Sequence, residues 1–192
     1  MAQSQSNRYA GILDKNLEQF VASCRKIQPQ DQQDARKLFE GIICFPYEQE
    51  LLLQAFLFLN LHVFFPTCTH LLLFEKPPVK KYTDQGKCDF VFLTEENTLF
   101  LIETKFIDTA ASGTRAVKKR TRQRQRVIAQ VQDLRLKFSK YWGLPLNYLE
   151  CGVFTTDLRL ADYRNTWGVT VRATTLDHLK QWQREQRTRL RL

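Results

Sequence analysis

Asp89, Glu103 and Lys105 are the residues of this chain whose types and spacing point to chemistry. Glu103 and Lys105 stand two positions apart in a run, Leu99 to Ile107, that is otherwise almost wholly apolar. Such a run reads as a strand buried on both faces in the middle of a sheet. Side chains at i and i+2 of a strand share a face and lie roughly 6.5 to 7 Å apart, so a carboxylate and an ammonium fall on one small patch. Charge placed inside a core strand is expensive without a partner, which points to a ligand, a metal or a reaction. An ion pair on the wet face of an ordinary amphipathic strand is the bland alternative. Asp89 weighs against it, because hairpin pairing about a tip at Thr94 to Thr98 brings Asp89 alongside the Glu103 to Lys105 end of the neighbouring strand. Two carboxylates converging at a strand end suit a hard divalent cation such as Mg²⁺, which prefers oxygen ligands and keeps several waters.

The elements that must position these residues follow from pattern. Lys87 to Asp108 holds two short runs of Phe, Val, Leu and Ile around the polar tip, the mark of a β-hairpin. Pro46 suits the first turn of a helix running to about Leu61, apolar nearly all round and so buried against the sheet. Its early acids, Glu48 and Glu50, have a simple role as partners of the helix dipole. Periodicity separates them: Glu48 shares the stripe of Leu52, Ala55 and Leu59, whereas Glu50 lies with Gln54 on the more polar side. Glu48 is therefore the acid expected to look inward. Leu61 to Phe65 and Leu71 to Phe74 read as strand, split by Pro66. Residues 115 to 126, RAVKKRTRQRQR, carry seven Lys or Arg in twelve positions. They lead into a helix whose apolar positions Val127, Val131, Leu134, Phe138 and Tyr141 recur at helical spacing, ended by Gly143 and Pro145. Tyr148 to Thr156 and Gly168 to Ala173 are two further strands, and Thr175 to Arg187 is a closing helix with Leu176, Leu179 and Trp182 on one face.

An aspartate at the start of a strand, a hairpin, then Glu-x-Lys in the next strand resembles the PD-(D/E)xK nuclease superfamily, here in Cys88-Asp89 and Glu103-Thr104-Lys105. Cys88 stands where the motif's proline would be. The resemblance implies an α/β, restriction endonuclease-like αβββαβ core: a central mixed sheet flanked by helices, expected over residues 44–192 and preceded by an N-terminal helical extension over 1–43. It implies metal-dependent hydrolysis of a phosphodiester, with Glu48, Asp89, Glu103 and the backbone carbonyl of Thr104 around Mg²⁺ (Mn²⁺ substituting), and with Lys105 orienting the attacking water. Tyr47 to Leu51 resembles the stretch that supplies the helix acid in archaeal Holliday-junction resolvases. RecB-like members carry Gln-x-x-x-Tyr on the helix after the hairpin, and that helix has no such pair here; Gln130 is the glutamine there that could face the site. That absence places the pattern nearer the resolvase and restriction-type branches. Many relatives of this kind are homodimers, so a homodimer is one expected arrangement.

Charge agrees with a polyanionic partner. The net charge is +9 and the pI near 9.5, and nucleic acid, DNA before RNA, is the expected partner. Within the basic run, Arg115, Lys118, Lys119, Arg120, Arg122, Arg124 and Arg126 are the candidate phosphate contacts, since so dense a run is costly without counter-charge. The five cysteines, Cys24, Cys44, Cys68, Cys88 and Cys151, are scattered with no CxxC pair, which excludes a zinc knuckle and favours reduced thiols. Residues 1 to 11 have no signal-peptide core, and Leu51 to Phe65 is too short and too interrupted to span a bilayer. The expectation is a soluble cytoplasmic protein, nucleoid-associated in a prokaryote, with no membrane partner. His62, His70 and His178 lack ligand-spaced companions, and there is no nucleophile elbow, phosphate-cradling glycine loop or dinucleotide fingerprint. A nuclease-like fold that binds DNA without cutting it is the alternative of another class.

Overall fold

The computed structural model describes residues 15–22, 32–44, 49–76, 87–162 and 168–190. Its centre is a five-stranded sheet, β1 (Cys68–Lys76), β2 (Cys88–Thr94), β3 (Leu99–Lys105), β4 (Leu149–Thr155) and β5 (Val169–Ala173), ordered as in the sequence. The first three strands are antiparallel; β3, β4 and β5 run parallel. A tight tip joins β2 to β3: Thr94 N–H donates to Thr98 O, and Asn97 takes a left-handed φ of 56°. Asparagine tolerates that conformation better than most residues. Parallel pairing of β3 with β4 needs a crossover, and the long helix from Thr114 to Trp142 supplies it.

Helices cover both faces, giving an α/β fold of three layers. Numbered in chain order, they are α1 (15–22), α2 (Gln32–Cys44), α3 (Gln49–Leu59), α4 (Leu61–Phe64), α5 (Thr114–Trp142), α6 (Leu158–Ala161) and α7 (Leu176–Leu190). On one face α5 lays Val127, Val131, Leu134 and Phe138 against Val91, Leu101, Cys151 and Val153. On the other, α2, α3 and α7 pack Phe39, Phe56 and Trp182 against Phe90, Phe92, Phe100, Ile102 and Phe154. Both faces of β3 are thus dry up to Ile102, which is why its sequence shows no alternation. The order α3, β1, β2, β3, α5, β4 is the αβββαβ order expected from the sequence.

The two helices of the N-terminal segment join the same two cores. Phe20 of α1 meets Phe138 and Trp142 edge-on at 5.6 and 4.9 Å, and Phe39 of α2 stacks on Phe58 at 4.3 Å. Gly152 of β4 lies under the paired rings of Phe100 and Phe65: a Cβ there would come within 2.6 Å of Phe100 and 2.9 Å of Phe65. No larger residue fits at that position without displacing an aromatic ring.

Two local expectations are corrected. Leu61–Phe64 is a helical turn instead of strand, because Asn60 caps α3 with its side chain on Phe56 O at 2.8 Å and Phe65 N–H returns to Leu61 O. Tyr141 does not join the buried stripe of α5; it is 53% exposed, and its neighbour Trp142 makes the contact with Phe20. Gly143, in the left-handed region at φ 64°, ends α5 as expected. Among the described residues no helix is long and apolar enough to cross a membrane.

Candidate active site

The β2–β3 ladder stops at Phe90–Ile102, and side chains take over where it opens. Asp89 N–H donates to Glu103 Oε1 at 3.3 Å. In return Thr104 donates both its N–H (2.7 Å) and its hydroxyl (2.6 Å) to Asp89 Oδ2. The carboxylates of Asp89 and Glu103 are thereby held across the splayed strand ends, each satisfying a backbone donor that sheet pairing would otherwise have used. Gln130 of α5 donates to Glu103 Oε2 at 2.6 Å from above. Lys105, one residue past Thr104, reaches the opposite layer and pairs with Glu50 of α3 at 2.7 Å. Its own carbonyl accepts from Thr155 of β4 at 2.8 Å, which fixes the end of β3 against the parallel half of the sheet.

Burial sets the electrostatics. Glu103 is 3% exposed. Its carboxyl is pushed up to about 9, first by desolvation and then by the neighbouring charge of Asp89. Asp89 is also raised, chiefly by desolvation, against the two hydrogen bonds from Thr104, with smaller contributions from Glu50 and Glu75. These are acids short of positive charge. With Glu103 protonated, the amide of Gln130 turned over accepts the proton as readily as it donates to the charged form, so the 2.6 Å contact serves both states.

Of the residues singled out in the sequence, the structure brings together Asp89, Glu103, Thr104, Lys105 and Gln130. Glu48 lies outside the described residues. The α3 acid placed against Lys105 is Glu50, which the periodicity assigns to the polar side with Gln54. Gln54 is in fact 2% exposed, so it does not mark a solvent face. Among the described residues no three His, Cys, Asp or Glu side chains are disposed to hold a metal ion as they stand; Glu50 is turned to Lys105.

The basic run divides into two groups. Arg115, Lys118, Lys119, Arg122 and Arg126 are exposed on the N-terminal half of α5. Arg120 instead donates to Ala111 O and Asp108 O in the loop after β3. Arg124 places Nε and Nη2 on Asp157 Oδ2, both at 2.7 Å. Asp157 is 1% exposed, and its other oxygen caps the N-terminus of α6. No sequence signal marks Asp157, which lies just past β4 and far along the chain from its partner. Replacing Arg124 by Ala leaves that carboxylate buried beside one backbone donor. It should cost about 3 kcal/mol in chemical denaturation, and adding Asp157→Asn should recover part of the loss.

No protein-family profile and no curated protein matches the chain. It is similar in part to two solved structures. One is a repair endonuclease from Pyrococcus abyssi, at 13% identity and a TM-score of 0.43, over 68% of this chain and 49% of that one. The other is the structure of an EndoMS-dsDNA2 complex, at 14% identity and a TM-score of 0.41, over 68% of this chain and 48% of that one. This chain therefore spans about half the length of either structure.

Proposed function

We propose that the protein is a metal-dependent phosphodiesterase acting on nucleic acid, a DNA endonuclease that works with Mg²⁺ and accepts Mn²⁺. One observation carries this reading: Asp89, Glu103, Lys105 and Glu50, from three different elements, converge where the β2–β3 ladder opens. Asp89, Glu103 and Lys105 are residues the PD-(D/E)xK resemblance implies, and Glu50 joins them from the helix for which the resemblance implies Glu48. The chemistry of this set fits a hard cation, since the carboxylate and carbonyl donors are all oxygen and both Asp89 and Glu103 hold their protons more tightly than free carboxyls do. Mg²⁺ needs only one or two carboxylates, its remaining positions going to water and substrate phosphate. Asp89, Glu103 and the Thr104 carbonyl would hold it, with Glu50 or Glu48 alongside. When bound, the ion lowers the pKa of a water and stabilises charge on the phosphoryl group.

The chain's own residues do the rest. Thr104 fixes Asp89 through two donors on one oxygen, and Gln130 fixes Glu103 from the opposite layer. The ammonium of Lys105, paired with Glu50 and partly exposed, would orient the attacking water and offset negative charge on the phosphorane-like transition state. Arg115, Lys118, Lys119, Arg122 and Arg126 lie beyond it on α5, where they would grip phosphates flanking the cut.

Incubation of the purified protein with supercoiled plasmid and synthetic branched DNA tests the reading. Mg²⁺, Mn²⁺ and EDTA would be compared, beside Asp89→Ala and Lys105→Ala. Metal-dependent nicking that disappears in both variants is the expected result. A protein that retards DNA on a gel and cuts none of it is a binding module, and the nuclease reading falls.

A further inference from the structure

Gln54 is out of place in the core. It is 2% exposed between Leu53 and Ala55, which are wholly buried. Its Nε2 donates to Glu75 Oε1 at 3.3 Å, while its Oε1 is buried with no hydrogen-bond partner. A buried amide with one end unmet is costly, and leucine would serve packing better. Glu75, the other half of the bond, carries a cost of its own: it sits near the end of β1 at φ 48°, a left-handed conformation that non-glycine residues in strands rarely adopt. Successive strand residues normally face opposite sides of the sheet. Here Phe74 packs on the α3 face, against Phe39 and Phe90, and the turned backbone brings Glu75 round to a residue of α3 as well. Two unfavourable features converge on one hydrogen bond.

What that bond controls follows from helix geometry. Gln54 lies four residues after Glu50 on α3, so the two share a stripe one turn apart. Beside the buried Leu52, Leu53, Ala55, Phe56 and Leu57, an anchor at Gln54 acts on the rotation of α3 about its axis, and so on the direction in which Glu50 projects. Glu50 is the acid on Lys105.

We propose that Glu75 and Gln54 are a positioning pair, in which the strained Glu75 holds Gln54 and thereby sets Glu50 against Lys105. Lys105 itself donates to Glu50. The inference deepens the nuclease reading in that it assigns the device that orients the helix acid, and it rests on that reading only for its effect on turnover.

The test reads the Glu50–Lys105 pairing directly. Lysines are ¹³C-methylated in the folded protein, and the Lys105 signal is identified by its disappearance in Lys105→Arg. Glu50→Gln gives the signal of an unpaired Lys105. Gln54→Leu and Glu75→Ala should move the signal to that unpaired position. Glu75→Gln, whose amide oxygen still accepts from Gln54, should leave it where the wild type has it. In plasmid cleavage the first two should lower kcat by about tenfold or more with KM for DNA unchanged, and Glu75→Gln should rescue it. Glu75 is exposed, so its variants keep the test open if Gln54→Leu fails to fold. A Lys105 signal unmoved in Glu75→Ala overturns the proposal, as does a Glu75→Gln signal that follows Glu75→Ala. If the signals move as expected and no DNA is ever cut, the pair stands and the nuclease reading is what has failed.

Discussion

Glu103→Gln should stabilise the metal-free protein and stop cleavage in the same substitution. In the folded chain the carboxyl is held up at about 9 against an ordinary 4.5. Below pH 4.5 it is protonated in both folded and unfolded states and has no net effect. Between the two values the unfolded chain releases the proton while the folded chain keeps it, so stability falls as pH rises through that window. Above pH 9 the cost is complete. Glutamine is neutral throughout and can meet Gln130 and the Asp89 N–H in nearly the same shape, so it avoids this loss. Thermal melts of the two proteins should coincide near pH 4.5 and separate steadily above it, the variant leading by about 1 to 3 kcal/mol at pH 8. Cleavage should fall about a thousandfold at every pH, since the neutral amide supplies no charge to a cation. A variant no more stable at pH 8 than at pH 5, relative to wild type, would show that Glu103 is not held in a proton-retaining environment.

Neutralising Arg115, Lys118, Lys119, Arg122 and Arg126 together, each to Gln, should weaken duplex DNA binding by orders of magnitude at moderate salt. Every phosphate that the protein no longer neutralises makes the plot of log K against log salt shallower by about 0.9, so the slope should change by up to about 4.5 if all five side chains reach phosphates. Fluorescence anisotropy across a salt series measures it. Stability should hardly change, because all five are exposed on α5. Arg120 and Arg124 are kept in this variant for the opposite reason: both are tied to the loops beneath α5. An unchanged salt slope would mean that DNA runs over some other surface and that α5 presents charge only to solvent.

Much of this site is legible in the sequence because local rules place it. The hairpin is closed by a short tip, so the positions of Asp89 and Glu103 follow from two apolar runs and the pairing rule alone. The acid that meets Lys105 is not legible in that way. Periodicity on α3 takes Gln54 as a marker of the wet side, a fair rule for glutamine. Gln54 is buried because Glu75 on β1 accepts its hydrogen bond, and Glu75 gets there through a backbone turn that no pattern of residue types announces. Asp157 is hidden likewise, since its partner Arg124 lies inside a run that reads as uniformly solvated. Leu61 to Phe64 shows a simpler limit: a short, mostly apolar run before a proline satisfies a strand and a helical turn equally well, and Asn60 decides between them.

The consecutive strand order has a consequence for how the acidic centre comes into being. β1, β2 and β3 pair in the order of the sequence, so this meander can close while later residues are still unstructured or still being synthesised. At that stage Glu103 has one dry face and one open to water, and its carboxyl is still hydrated. Only when α5 folds back and lays Val127, Val131 and Gln130 over β3 does the second face dry. The electrostatic penalty of the site therefore belongs to the packing of α5 on the sheet and not to the pairing of the strands. A chain assembled in that order forms its sheet before it confronts its most unfavourable residue.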